Sequence, residues 1–338
     1  MKSAQNGIAT GGVTRREFIK EMGILTGGIA AVSWMYGRKG TPAETFIAKA
    51  PDYNADLASI ICRGFTELGV HPGEIRGKRI LLKPNLVEVR PGMVHINTHP
   101  LVIRGAIEAF LRFGAEEVLV GEGPGHCRDI LYVLDMSGVA EVLVEDRIPF
   151  VDINNDALWL KANKTRLTFM DTITLPATLR RMDWIVSLPK MKTHHWAGVT
   201  LSMKNLFGVL PGIVYGWPKN VLHRAGIEAS ILDIYSTLRP HFAIVDGIIG
   251  MDGDGPIMGN PHHSGVIVMG RNLPAVDATC SRIMGVDPFK IKHLELASMF
   301  LEPIDEKSIY QRGEVIKDTR TDFHLDESIP AQRGIRLA

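Results

Sequence analysis

Short unbroken apolar runs, each stopped by a cluster of Pro, Gly, Asn or Lys, recur along most of the chain. Arg79-Ile-Leu-Leu-Lys83 stops at Pro84-Asn85, and Val118-Leu-Val-Gly121 at Glu122-Gly123-Pro124-Gly125. Phe150-Val-Asp-Ile153 stops at Asn154-Asn155, and Trp184-Ile-Val-Ser-Leu188 at Pro189 to His194. His241-Phe-Ala-Ile-Val245 stops at Asp246-Gly247, and Ser264 to Gly270 forms a further run. A strand without a polar face must be covered on both sides. Between these runs, apolar residues recur at helical spacing: Leu57, Ile60, Ile61, Phe65 and Leu68, then Leu101 to Phe113, then Leu273 to Met284. This alternation predicts an α/β fold, a doubly wound, mostly parallel sheet with helices on both faces. Leu158 to Leu175 alternates polar and apolar residues and is expected to form a small antiparallel β insertion.

With 338 residues, 45% of them hydrophobic, the chain can bury a large core. The formal net charge is +1 without a basic block, and aromatics make up 7%. Neither an electrostatic footprint nor a stacking platform for nucleic acid is present, so nucleic acid is not an expected partner. Cys62, Cys127 and Cys280 form no CxxC pair, which argues against a ferredoxin-type iron–sulfur site.

Thr14-Arg15-Arg16-Glu17-Phe18-Ile19-Lys20 resembles the twin-arginine (Tat) export motif, and Met22 to Tyr36 follows as a Gly/Ala-rich apolar stretch. That stretch is shorter than the roughly 20 residues of a membrane span and reads as a signal. The expected organisation is signal and linker over 1–50, one α/β domain over 51–303 and a polar appendage over 304–338. The expected location is the periplasm or the outer face of the cytoplasmic membrane, with the Tat translocase as an export partner. Ala48-Lys49-Ala50 has the small residues of a peptidase site, although Pro51 follows it.

The polar clusters sit just after predicted strands. In open α/β sheets, ligands bind beyond the carboxyl ends of the strands, so these clusters are expected to converge. Lys190, Lys192 and His194 alternate, which places them on one face if the segment is extended. With Lys83, Asn85, Lys204 and Asn205 they form a candidate cradle for a small anionic ligand, a phosphate or carboxylate. His194 and Glu122 are the candidate acid–base groups, His194 because two lysines precede it. Cys127 follows the glycine loop as a further candidate nucleophile. Asp246 and Asp254 lie in a glycine-rich segment, Gly250 to Gly259, and are the candidate ligands of a divalent metal. The glycine spacing 121, 123, 125 does not match the dinucleotide fingerprint.

These clusters, in this order, resemble the DUF362 family. The likeness rests on Leu82-Lys83-Pro84-Asn85, Thr98-His99-Pro100, Gly121 to Gly125 and Leu188-Pro189-Lys190-Met191-Lys192-Thr193-His194. It continues through Thr200 to Gly208, Asp246-Gly247, Gly253-Asp254-Gly255-Pro256 and Ala275-Val-Asp277-Ala278. The resemblance implies an association with redox proteins, which many members have. The ferredoxin cysteines of those members are missing here, so the cofactor stays open. Two readings remain: an exported enzyme acting on a small anion, and a non-catalytic accessory protein that binds a cofactor or a redox partner.

Overall fold

The computed structural model of the chain describes residues 42–125 and 129–338. The twin-arginine motif and Cys127 lie outside them. In chain order the strands are β1 (Ala43–Lys49), β2 (Arg79–Pro84), β3 (Glu117–Glu122) and β4 (Phe150–Asp152). There follow β5 (Leu158–Ala162), β6 (Thr172–Pro176), β7 (Trp184–Leu188), β8 (Lys190–His194) and β9 (Gly198–Thr200). The last three are β10 (Phe242–Asp252), β11 (Asn260–Gly270) and β12 (Ile309–Gly313). The main sheet runs β12-β1-β11-β10-β7-β2-β3-β4, with β8 attached to β10 and β9 to β8. From β10 to β4 the pairs are parallel, whereas β11 is antiparallel to both its neighbours. The expected mixed α/β sheet is thus present. The β insertion is present too, as the separate antiparallel pair β5–β6.

Period-2 side-chain alternation explains why the apolar runs are continuous. Ile80 and Leu82 enter the cluster that holds Ile61 and Phe65 of the helix Leu57–Glu67 and Phe110 of the helix Pro100–Arg112. Leu81 enters the opposite cluster, with Ile231 of the helix Ile227–Leu238 and Val276 of the helix Leu273–Ile283. Phe65 packs on Phe110 and Phe242 with ring centres 4.9 and 5.4 Å apart. Each such fully buried apolar side chain contributes about 1.5–3 kcal/mol.

Three sequence expectations are corrected. Residues 43–49, assigned to the linker, form β1 between β11 and β12. The candidate peptidase site overlaps that strand, and Ala48 and Ala50 are fully buried. Cleavage there would strip a strand from the sheet. Residues 304–338 are not a mere appendage: β12 pairs with β1, and Phe323 is buried against His262. Their polar composition hid this role because an edge strand needs few apolar residues. Residues 250–259 are not one loop. β10 and β11 extend as a hairpin that still pairs at Asp252 and Asn260. Thr41–Ala338 is accordingly one unit.

The winding decides where a ligand can sit. From β2 the chain moves outward through β3 to β4, then returns to the other side of β2 as β7 and moves outward again to β10. The direction reverses between β2 and β7. The loops leaving those two carboxyl ends diverge there and leave a crevice.

Candidate functional site

Lys83 is the last residue but one of β2 and Glu122 ends β3, and parallel pairing up to Leu82 and Val120 brings the two ends side by side. Lys83 Nζ donates to Glu122 Oε2 at 2.7 Å and to Asn205 Oδ1 at 2.7 Å. Glu122 also accepts from the backbone N–H of Leu86 at 3.0 Å and of Gly123 at 2.8 Å. Burial pushes the Glu122 carboxyl up and the Lys83 amine down, and their ion pair opposes both shifts. All these partners of Glu122 are donors to its oxygens, which favours the carboxylate against the effect of burial. Glu122, expected as an acid–base group, holds Lys83 and the turn after β2. The Gly123 N–H is also spent inside the protein, on Glu122 and on the Gly208 carbonyl, rather than on a phosphate cradle.

A cavity of about 210 Å³ opens beside this pair, at the reversal between β2 and β7. Lys83, Asn85, Glu122, Lys192, His194, Lys204 and Asn205 all line it. These residues span more than a hundred positions of sequence, and the carboxyl-end rule brings them together as expected. The short helix Ser202–Asn205 delivers Lys204 and Asn205. Asp277 secures that helix: it accepts from Ser202 N at 2.7 Å and from Met203 N at 2.9 Å. Asp277 is fully buried, and burial pushes its carboxyl up to about 7. Asn205 in turn donates to the Lys83 carbonyl and to Ser187 Oγ, both at 3.0 Å. β2, β7 and the Lys204 helix are thereby tied into one wall.

Four lysines line the cavity, and Glu122 is the one carboxylate among the described lining residues. Lys192, fully buried, donates to the carbonyls of Ile96 at 2.8 Å and Pro256 at 3.1 Å. Burial, then Lys190, Lys83 and Lys204, drive its pKa well below the usual lysine value. Lys204 is lowered to about 7, by burial first and Lys83 second. The fourth is Lys219, which sequence reading passed over. It donates to Asn154 Oδ1 at 2.6 Å and to the Leu210 carbonyl, and burial lowers it to about 8. Its place at the end of the Gly/Pro-rich stretch 198–218, with backbone in the left-handed region, was the available signal.

His194 Nδ1 accepts the backbone N–H of Trp196 at 3.0 Å and of Ala197 at 3.2 Å. These bonds assign the ring proton to Nε2. Burial, reinforced by Lys204, keeps the ring neutral well below its ordinary pKa. His194 therefore presents a donor, not a general base. His195, Trp196 and His223 complete the rim, with the Trp196 ring 4.7 Å from His195 and 4.9 Å from His223. Thr200 Oγ1 and Asn85 Oδ1 are buried at the cavity without a hydrogen-bond partner among the described residues.

Two groups of the sequence expectation fall elsewhere. Lys190 is fully buried against Asp246, with Nζ 2.7 Å from Oδ2, 3.0 Å from Tyr53 Oη and 3.2 Å from the Ile249 carbonyl. Lys190 sits opposite Asp246 in the β8–β10 register, which then slips before Met251 meets Lys192. Alternation alone could not reveal this, because a partner from another strand captures Lys190 first. Asp246 also accepts from Tyr53 Oη at 3.2 Å and from the His99 backbone N–H at 2.9 Å. Asp254 is half exposed, 3.7 Å from His195 Nδ1, and the intervening Asp252 is bonded to His262 at 3.0 Å. The proposed metal pair is thus not assembled. No group of three His, Cys, Asp or Glu side chains placed for a metal occurs among the described residues.

Comparison with known proteins bears directly on this site. The model of a family described as "Domain of unknown function (DUF362)" matches residues 80–282. The chain belongs to the DUF362 family. Every lysine of the cavity, and both members of the Lys190–Asp246 pair, fall inside the matched span. This DUF362 protein is 28% identical over 223 residues to a thylakoid-associated protein of Synechocystis, across 64% of this chain and 65% of that relative. Among solved structures, the lactate racemase apoprotein of Thermoanaerobacterium thermosaccharolyticum aligns over 71% of this chain and 57% of its own. Its TM-score is 0.42, at 12% identity. A Thermotoga maritima protein aligns over 63% of this chain and 55% of its own, with a TM-score of 0.35 and 12% identity.

Proposed function

We propose that this DUF362 protein is an enzyme that binds a small anion, a carboxylate or a phosphate, in the cavity between β2 and β7. One observation carries the reading: four lysine amines line a closed-in space with a single carboxylate among the described lining residues. An uncompensated cluster of buried amines is costly, and a bound anion would repay that cost. The unpartnered Thr200 hydroxyl supplies a further donor. Lys192, Lys204 and Lys219 bind the anion, Asn85 and Asn205 orient it, and His194 Nε2 donates to it. The deep cleft, rather than a flat apolar face, favours an enzyme over an accessory protein.

Titration of the full chain with sulfate by calorimetry tests this, because sulfate keeps its charge across neutral pH. The free Lys204 amine discharges through about 7 and Lys219 through about 8. A bound anion favours the ammonium form, so the bound values are higher. Affinity should therefore be greatest in mild acid and fall as pH rises, by up to about tenfold per unit for each discharged amine. Lys83, Lys192, Glu122 and the three rim histidines face the same space. Burial lowers all three histidines, which moves their own titration toward acid, away from that of the lysines. Lys204→Met removes an amine that bonds no protein acceptor and should weaken sulfate about 10-fold or more. Affinity that rises with pH, or that survives Lys204→Met, overturns the reading.

Export is the second part of the proposal. The support is the Thr14–Lys20 motif; none of the described helices is long and apolar enough to cross a membrane. Replacing Arg15 and Arg16 together with lysine should retain the protein in the cytoplasm, as fractionation would read. Unchanged distribution would end the export claim.

A further inference from the structure

Lys204 differs from the other three lysines of the cavity. Lys83 donates to a carboxylate and an amide oxygen, and Lys192 to two carbonyls. Lys219 donates to an amide oxygen and a carbonyl. Each of these amines therefore has two oxygen acceptors that hold it in place. Lys204 Nζ bonds no acceptor among the described residues and lies 3.7 Å from the centre of the Phe207 ring. The ring positions the amine without occupying its lone pair. Lys83 stands close enough to oppose a second positive charge. The same cavity holds the Thr200 hydroxyl, buried and unpartnered, and the neutral His194 ring whose free position carries the proton. These are two donors suited to polarising a carbonyl oxygen.

We propose that Lys204 is a nucleophilic amine that forms an imine with an aldehyde or ketone carried by the anionic ligand. The assignment rests on the anion-binding reading and narrows its substrate class to oxo acids and phosphorylated aldehydes or ketones. The Nζ lone pair forms a bond to the carbonyl carbon. The C–O bond then breaks, and the oxygen leaves as water carrying the two protons given up by the amine. No oxidant or reductant takes part. The two tasks fit together: sulfate, which has no carbonyl, takes the Lys204 ammonium, whereas with an oxo anion the other lysines hold the anionic end and the free-amine form of Lys204 reacts. An ordinary lysine, with a pKa near 10.4, is free amine in about one molecule per thousand at neutral pH. Lys204, lowered to about 7, is free in about half.

The full chain is incubated separately with pyruvate, glyoxylate and pyridoxal 5′-phosphate, reduced with cyanoborohydride, and mapped by peptide mass. One reduced adduct per chain is expected, on Lys204, with at least one of the three. Excess sulfate should suppress it, which makes the readout independent of any variant. Lys204→Arg keeps a cation but no transferable amine, so it should lose the adduct whatever sulfate affinity it retains. Adducts spread over exposed lysines, or none from all three probes although pyruvate displaces sulfate, overturn the imine and leave the anion site standing. If neither sulfate nor any probe binds, both readings fall.

Discussion

Asp246→Ala should cost about 3–5 kcal/mol of stability, read as a lowered midpoint in urea. Asp246 and Lys190 are both fully buried, with 2.7 Å between Nζ and Oδ2. Removing the carboxylate leaves the Lys190 amine with Tyr53 Oη and one carbonyl. It also orphans the His99 N–H at the start of the helix Pro100–Arg112. The loss comes mainly from stranding a buried charge, not from the worth of the pair. Sulfate affinity of the folded fraction should persist, because neither residue lines the cavity. A stability loss below about 1 kcal/mol, the scale of an exposed pair, would show that Asp246 is not a structural anchor. Abolished sulfate binding by a fully folded variant would return it to the site.

Glu122→Gln should be comparably damaging, about 3 kcal/mol or more. The amide keeps the shape, but it cannot neutralise Lys83, which is 1% exposed. It also presents an N–H where Leu86 N or Gly123 N now donates to an oxygen. Gly208→Ala probes the same pair from the other side. A Cβ at 208 would lie on the Glu122 carboxylate and 2.5 Å from Lys83 Nζ, so the glycine is required for close approach. Both variants should lower the urea midpoint, and a nearly neutral Glu122→Gln would refute the ionised-pair description. Lys83→Met combined with Glu122→Gln should recover part of the loss, since no charge is then left buried alone. Recovery stays partial because the backbone donors of Leu86 and Gly123 still lose an acceptor.

The agreement between sequence and structure has a definite physical boundary. Continuous apolar runs such as 79–83 and 184–188 were recognisable as strands, because burial on both faces is written in consecutive residues. The insertion around 158–176 was legible for the same reason, with alternation in place of continuity. β1 and β12 were missed: one adjoins a signal-like segment, and the other carries exposed Tyr310, Arg312 and Gly313. At the site, the carboxyl-end rule placed Lys83, Asn85, Glu122, Lys192, His194, Lys204 and Asn205 on one cavity without any contact being known.

Composition and periodicity along the chain dictated the α/β class and the side of the sheet where chemistry could occur, since both follow from neighbours in sequence. The role of each polar group came from partners far away in the chain. Lys190 and Lys192 are two residues apart and chemically identical, yet Asp246 claims the first and the cavity keeps the second. Glu122 clamps Lys83 and the turn after β2 because two backbone N–H groups and Lys83 reach it. Lys204 stays unpaired among the described residues because its short helix, moored to Asp277, carries it to the Phe207 ring and to no acceptor of theirs. A side chain's charge state and reactivity depend on desolvation and on charges within a few ångströms, and those distances exist only after the strands have found their register.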